Sequence, residues 1–257
     1  MKKVLINGLY LWQFEKLGAH TPVKHFVTDR NTRPNENDFT LSFSSSPDEE
    51  KILNNRKQLA TSLGVNPNYL FMPRQVHKTR IVDVHRNTDK NELVDTDALI
   101  SSEKGICVAV MSADCVPVLL FDTRNYAVAA VHSGWRGAVA KILEKTLNKM
   151  NLLFGTKGQD LIACIGPSVS QDSYEVGDEV VQEVRQSFGH ENDLMIFQSN
   201  NKARLDLWKA NEVQLREFGV PSTQIEISDL CTVKNNEHFF SARKGDAGRF
   251  AAGIMLV

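Results

Sequence analysis

Cysteine is scarce in this chain. The four residues, at 107, 115, 164 and 231, have no spacing that pairs them as a local disulfide or a metal ribbon. Reduced thiols in a cytoplasmic protein are the expectation. No apolar run is long enough to cross a bilayer as a helix, which excludes a helical membrane anchor within the sequence. Basic runs are also missing, and 30 Lys and Arg against 31 Asp and Glu leave a formal charge of −1. That balance argues against a nucleic-acid partner. Neither a linker nor an internal repeat interrupts the chain. Its 257 residues, 42% hydrophobic, suffice for one large core, so residues 1–257 read as a single compact domain. Lys2 and Lys3 before Val4-Leu5-Ile6 have the start of a signal peptide, but Asn7 and Gly8 break the run and Gln13 and Glu15 follow. The segment reads as a first strand.

Chemistry concentrates in two neighbouring stretches, Ser112-Ala113-Asp114-Cys115-Val116-Pro117 and Val131-His132-Ser133-Gly134-Trp135-Arg136-Gly137, with Gln75-Val76-His77 upstream. Together they offer one thiolate and two imidazoles. Such a set leaves zinc one ligand short of its tetrahedron, and catalytic zinc uses that open position. The bland alternative is a small buried Cys and a His that merely ends a strand. Val116 to Asp122 and Tyr126 to His132 are β-favourable runs joined by a short polar loop. A two-residue loop would set Cys115 opposite His132, and a three-residue loop would set it opposite Ser133. His77 ends a separate element, Tyr69 to Val76, and only tertiary structure can bring it near.

After His132 the chain reads as strand, tight turn and helix, with Val139, Ile142, Leu143, Leu147 and Met150 at helical spacing. Turn amides and the Arg136 fork suit phosphate or a carboxylate, though an ordinary connection with a surface Arg looks the same. Further helices are expected over Asp48 to Leu63 with Gly64 as the stop, Asp178 to Phe188, and Leu205 to Phe218. Strands are expected over Leu161 to Ile165, Gln224 to Ile227 and Ala251 to Val257. Without a strict βαβ rhythm the fold class is α+β, with a mixed, largely antiparallel sheet and helices packed outside.

A family pattern emerges from short motifs in order: Gln75-Val76-His77, Asp97-Ala98-Leu99, Ala113-Asp114-Cys115-Val116-Pro117, His132-Ser133-Gly134-Trp135-Arg136-Gly137, Ile165-Gly166-Pro167, Tyr174-Glu175-Val176-Gly177, Cys231-Thr232, Phe239-Phe240-Ser241 and Gly248-Arg249. The chain resembles the YfiH-type family, also called the laccase-domain or multicopper polyphenol oxidase family, from about residue 25 onward. The resemblance implies an α+β fold similar to that of the cytotoxic necrotizing factor toxins. It also implies one zinc held by His77, Cys115 and His132. The implied activities are phosphorolysis of purine nucleosides (adenosine, inosine, guanosine and methylthioadenosine) and deamination of adenosine. A small-molecule substrate is therefore expected.

In that setting Arg136 and the turn amides suit phosphate, and Asp114 is placed to orient a ligand or shuttle a proton. Arg243 and Arg249 are candidates for the pocket mouth, with Lys244 a candidate solvated residue, and Arg56 in Asn54-Asn55-Arg56 matches a family Asn-Arg pair. Copper is the alternative metal, since a His₂Cys set also binds it. The seven His, at 20, 25, 77, 85, 132, 190 and 238, contain no His-x-His pair, so a multinuclear copper cluster is poorly provided for. A third reading makes Cys115 a thiol nucleophile with His132 as its base, for an amidase acting on peptidoglycan precursors. Three departures from the family pattern stand out. The loop from Val27 to Asn35 has no Gly, Ala242 and Lys244 replace an aromatic and an Arg, and Ser133 replaces a frequent Ala.

Overall fold

A computed structural model describes every residue except 35, 37, 44–47, 190 and 199–201. Asn35, at the end of the Gly-free loop, and His190 lie outside the described residues. In chain order the first strands are β1 (Lys2–Ile6), β2 (Leu9–Gln13), β3 (Val23–Val27), β4 (Leu70–Phe71), β5 (Ile81–Asp83), β6 (Ala98–Ser101) and β7 (Cys107–Ser112). Next come β8 (Val116–Asp122), β9 (Ala127–Ser133), β10 (Leu161–Ile165), β11 (Glu175–Val176), β12 (Met195–Phe197), β13 (Ala203–Leu205), β14 (Ile225–Ile227) and β15 (Phe250–Leu256). The helices are α1 (Glu15–Gly18), α2 (Glu49–Leu63), α3 (Trp135–Val139), α4 (Ile142–Phe154), α5 (Asp178–Phe188), α6 (Glu191–Leu194) and α7 (Leu207–Glu217).

One six-stranded sheet runs β1-β2-β3-β15-β7-β4, a second runs β14-β10-β8-β9-β6-β5, and β11-β13-β12 form a small third. The pairs β10 with β14, β4 with β7 and β5 with β6 are parallel. The other pairings are antiparallel. The two large sheets stack face to face. Val108 and Val110 of β7 and Ile254 of β15 meet Leu119 and Phe121 of β8 and Val128 and Ala130 of β9 between them. Period-two alternation then sends Val116, Val118 and Leu120 to the opposite face, where they pack on Ile142, Leu143, Leu147 and Met150 of α4. On the outer face of the first sheet, Ala109 and Ala251 pack on Leu59, Ala60 and Leu63 of α2. The order of layers is helix, sheet, sheet, helices, an α+β architecture with helices outside as the sequence led us to expect.

Strands buried on both faces explain why Val116 to Asp122 reads as one unbroken apolar run. The hairpin register differs from both sequence expectations. Val116 pairs with Ser133 and Asp122 with Ala127, leaving a four-residue loop from Thr123 to Tyr126. Asp122 is the cause. Its Oδ1 accepts from the amides of Arg124 and Asn125 at 3.0 and 2.9 Å, and Tyr126 completes the turn at φ 53°. Cys115 consequently falls one residue outside the ladder and faces neither His132 nor Ser133.

The expected helix after His132 is broken in two. Lys141 takes a left-handed conformation, φ 58° and ψ 43°, between α3 and α4, and its ammonium lies 3.6 Å from the centre of the Phe188 ring. The apolar stripe survives because both pieces face the same sheet. Other boundaries follow local chemistry: Asp48 caps α2 by accepting from Lys51 N–H, Gly64 closes it at φ 72°, and Asp206 caps α7, so Leu205 belongs to β13. The stretch from Tyr69 to Val76 is strand only at Leu70–Phe71, and His77 sits in a turn.

Candidate metal centre

The site is built where β9, the start of β6 and two loops converge. His132 lies near the end of β9, and Asp97 immediately precedes β6, the antiparallel neighbour of β9. His132 N–H donates to the Asp97 carbonyl at 2.8 Å, and His132 Nδ1 donates to Asp97 Oδ1 at 2.9 Å. A carboxylate only accepts, so Nδ1 carries a ring proton and Nε2 is the nitrogen left to face a metal. The same carboxylate, fully buried, accepts from His77 N–H at 2.9 Å, Lys78 N–H at 2.8 Å and Val76 N–H at 3.3 Å. Burial pushes the Asp97 pKa up, but the His132 hydrogen bond and these amides outweigh it and hold the group below the usual carboxylate range. One acid thus fixes both the ring of His132 and the backbone of His77.

Cys115 arrives on a short link between β7 and β8. Asp114 turns the chain at φ 86°, a conformation that favours glycine, and is pinned there. Its Oδ1 accepts from Thr232 Oγ1 at 2.6 Å, its Oδ2 from Arg243 N–H at 2.8 Å, and its carbonyl from Val169 N–H at 3.0 Å. His77 too has a positive φ, 61°. Gly134 makes room for the cluster: a Cβ there would stand 2.6 Å from Cys115 Sγ and 3.3 Å from His77 Cδ2.

The ligand atoms of His77, Cys115 and His132 all lie within 4.8 Å of one another, and the two imidazoles meet edge to face with centroids 4.9 Å apart. His132 is buried, Cys115 half-buried and His77 exposed, so the cluster opens to solvent on the His77 side. Burial pushes the Cys115 thiol up, but the charge and hydrogen bond of His132, then those of His77, bring it down to about 6. Burial lowers His132, but the Cys115 charge and the Asp97 hydrogen bond raise it to about 9. Cys115 and His132 thus favour each other's charged forms, and a bound metal takes the place of the proton between them. Two nitrogens and one thiolate, with His132 Nε2 freed by Asp97, suit zinc or copper and leave a coordination position open.

The remaining candidates divide. Arg243 reaches the site: its N–H holds Asp114, its guanidinium donates to the Glu175 carbonyl at 2.8 Å and lies 4.6 Å from the centre of the Tyr174 ring. Tyr174 is pushed up to about 12 by burial and, next, by the negative charge of Cys115. Arg136 is exposed, stacked 4.3 Å over Trp135, on a helix of only five residues. Arg249 turns back on its own loop, its Nη1 donating to the carbonyls of Asp246, Ala247 and Gly248. Arg56 lies against Met111, two residues before Ala113, and Lys244 is exposed. Ser133 Oγ is buried without a partner beside His132.

A family model described as "Multi-copper polyphenol oxidoreductase laccase" matches residues 24–257. The chain belongs to this laccase family. Among its relatives, a purine nucleoside phosphorylase of Bacteroides thetaiotaomicron is 38% identical over 257 residues, covering 95% of each chain. "Adenosine deaminase RL5", from an unknown prokaryotic organism, is 36% identical over 217 residues, 80% of this chain and 82% of that one. The crystal structure of Bacillus licheniformis YfiH superposes with a TM-score of 0.88 at 27% identity, covering 97% of both chains. That of YlmD from Geobacillus stearothermophilus gives 0.87 at 25%, covering 97% of this chain and 96% of the other.

The family's name speaks of several coppers. In this laccase-family chain, one group of three His, Cys, Asp or Glu side chains is placed to share an ion among the described residues. Four other histidines lie apart, His25 in β3 accepting from Phe14 N–H, His85 between Asp83 and Glu103, His20 against Phe121, and His238 against Trp12. Sequence reading quoted Asp97, Gly134, Tyr174 and Thr232 within motifs and gave none of them a task. The one signal for Asp97 was an acid directly before an apolar strand, a position where a carboxylate must find donors.

Proposed function

We propose that this chain is a zinc-dependent purine nucleoside phosphorylase, acting on adenosine, inosine, guanosine and methylthioadenosine, that also deaminates adenosine. The observation that carries the reading is the open His77–Cys115–His132 cluster in a chain whose relatives bear those two names. When bound, zinc supplies Lewis acidity at the open position.

The protein's own groups do the rest. In phosphorolysis a phosphate oxygen forms a bond to C1′ of the ribose while the C1′–N9 bond breaks and its electron pair leaves with the purine. Positive charge grows on the ribose, so the site must hold the anion in line and keep the base in place. Arg243, stacked on Tyr174 and holding Asp114 next to Cys115, is positioned for the substrate, and Arg136, three residues after His132 in sequence, is the second candidate for the anion. Both Asp114 oxygens already accept hydrogen bonds, which favours orientation over proton shuttling for that residue. In deamination water replaces the 6-amino group and ammonia departs.

A second reading rests on the thiolate. Cys115, His132 and Asp97 reproduce the nucleophile, base and orienting acid of cysteine hydrolases, which fits an amidase working on peptidoglycan precursors. Copper-dependent polyphenol oxidation is the third, and a single three-ligand cluster supports it least. Elemental analysis beside thiol alkylation separates the first two. The zinc reading expects one metal per chain, Cys115 shielded from alkylation, and loss of both metal and adenosine turnover in Cys115→Ala. A metal-free protein with rapidly alkylated Cys115 and amide hydrolysis would favour the amidase.

A further inference from the structure

The four cysteines differ in reactivity. Cys107 and Cys164 are fully buried, and burial pushes the first up to about 12 and the second well above the usual thiol value. Cys115 belongs to the metal centre. Cys231, which the nucleoside chemistry leaves without a task, lines a cavity of about 260 Å³. Its Sγ accepts from Ser170 N–H at 3.3 Å and lies 3.6 Å from Ser173 Oγ. Burial pushes this thiol up too, but the hydrogen bonds around the sulfur outweigh it and hold the group below the usual value.

The cavity holds an unmet polar contact. At its buried end Ser170 is 9% exposed, and its Oγ has no hydrogen-bond partner. Buried hydroxyls ordinarily find one. Trp208 donates its indole N–H to Ser168 Oγ, which fixes the ring as one wall. The volume lies below the roughly 300–1,000 Å³ of drug-sized ligand sites, so only a small group fits.

Charge selects that group. Asp172, Asp206 and Asp229 line the cavity with Lys234, and Lys234 pairs with Asp172 at 2.8 Å. Asp206 uses Oδ1 to cap α7, and among the described residues no cation pairs with Asp206 or Asp229. Lys209, three residues after Asp206, pairs with Glu212 at 2.9 Å. Two carboxylates without a counter-ion favour a cationic occupant and disfavour an anionic one.

The cavity is separate from the metal centre but shares a wall with it. His77, Cys115, His132 and Arg243 do not line it. Segments 168–170 and 231–232 run side by side, with Ser168 bridged to Cys231. From this wall Val169 N–H and Thr232 Oγ1 hold Asp114, while Ser170 and Cys231 line the cavity.

We propose that Cys231 is a modification site, which forms a mixed disulfide with a small disulfide that carries amines. The Cys231 sulfur bonds to one sulfur of that molecule, the S–S bond breaks, and its electron pair departs with the other half as a thiolate. This thiolate takes up the proton that Cys231 gives up, so Cys231 is oxidised and the departing half is reduced. The attached half lies in the cavity with its ammonium toward Asp206 and Asp229, and Ser170 Oγ gains a partner in the added group.

Mass spectrometry of the zinc-loaded protein incubated with cystamine tests it. The expected result is a single aminoethylthio adduct on the Cys231 peptide, removed by dithiothreitol and absent from Cys231→Ser. Glutathione disulfide, which is anionic, should react ~5-fold more slowly or less, and combining Asp206→Asn with Asp229→Asn should reduce that preference. Asn keeps the helix cap and tolerates the left-handed backbone of Asp229, φ 56°, so the fold persists. No adduct, an adduct on Cys107, Cys115 or Cys164 in place of Cys231, or a preference undiminished in the Asn variant would overturn the proposal. Should Cys231→Ser not fold, peptide mapping of the wild type and the Asn variant decides on the same outcomes.

Discussion

Asp97 and His132 are joined twice, by a backbone hydrogen bond of 2.8 Å and by a side-chain hydrogen bond of 2.9 Å between Nδ1 and Oδ1. The first fixes where the imidazole is, and the second fixes which nitrogen is free. Because the same carboxylate holds the amides of His77 and Lys78, the two nitrogen ligands are positioned by one residue.

Asp97→Asn tests that dependence. Asn can still accept from the loop amides, but its NH₂ would face the Nδ1 proton of His132 and force the other tautomer or a rotated ring. Metal affinity should fall about 10- to 100-fold, the range seen when such supporting partners are removed, while the fold persists. Competition against a chromophoric chelator measures it, and unchanged affinity would detach Asp97 from the site.

Gly134→Ala should separate metal binding from folding. The added Cβ meets Cys115 Sγ at 2.6 Å, far inside contact distance, so the sulfur or the loop must move. We expect a stability loss of about 1–3 kcal/mol and a metal content well below one per chain. A variant that keeps full metal and full stability would show that Cys115 has slack.

Thr232→Val removes the 2.6 Å donor to Asp114 and leaves a buried carboxylate one partner short. The expected cost is about 1–3 kcal/mol in denaturant unfolding, together with weaker metal binding because Asp114 sets the approach of Cys115. Unaltered metal affinity would confine Asp114 to a structural part.

His25 gives a pH dependence away from the site. Burial brings its pKa from 6.5 to about 4, and Nε2 accepts from Phe14 N–H, which only the unprotonated nitrogen can do, so the folded chain holds the ring neutral. The unfolded chain takes up a proton below pH 6.5 and the folded chain does so only near 4. Stability is therefore unaffected above about pH 6.5, declines as pH falls toward 4, and loses about 3 kcal/mol in all from this group. Urea unfolding at pH 7 and pH 5 should show the decline, and His25→Gln should flatten it. An equal slope in that variant would assign the effect elsewhere.

What sequence could show depended on whether the controlling chemistry was local. The strand Val116–Asp122 and the helix Asp178–Phe188 appear at their expected limits because the apolar pattern lies within them and Gly189 closes the helix. The hairpin register was not legible, since it turns on Asp122 capping two amides of its own loop. Nor was the break at Lys141, a residue with no sequence mark for a left-handed turn. The three ligands were visible as residue types, and the family resemblance joined them. Their assembly was not visible, because His77 is brought in by a carboxylate 20 positions away.

The most direct test supplies inosine to the zinc-loaded protein with and without phosphate and resolves the products by chromatography. Phosphate-dependent release of free hypoxanthine, abolished in Cys115→Ala, is the expected result. Inosine left intact in the presence of phosphate, with zinc bound and the fold intact, would contradict the assignment of phosphorolysis to this centre.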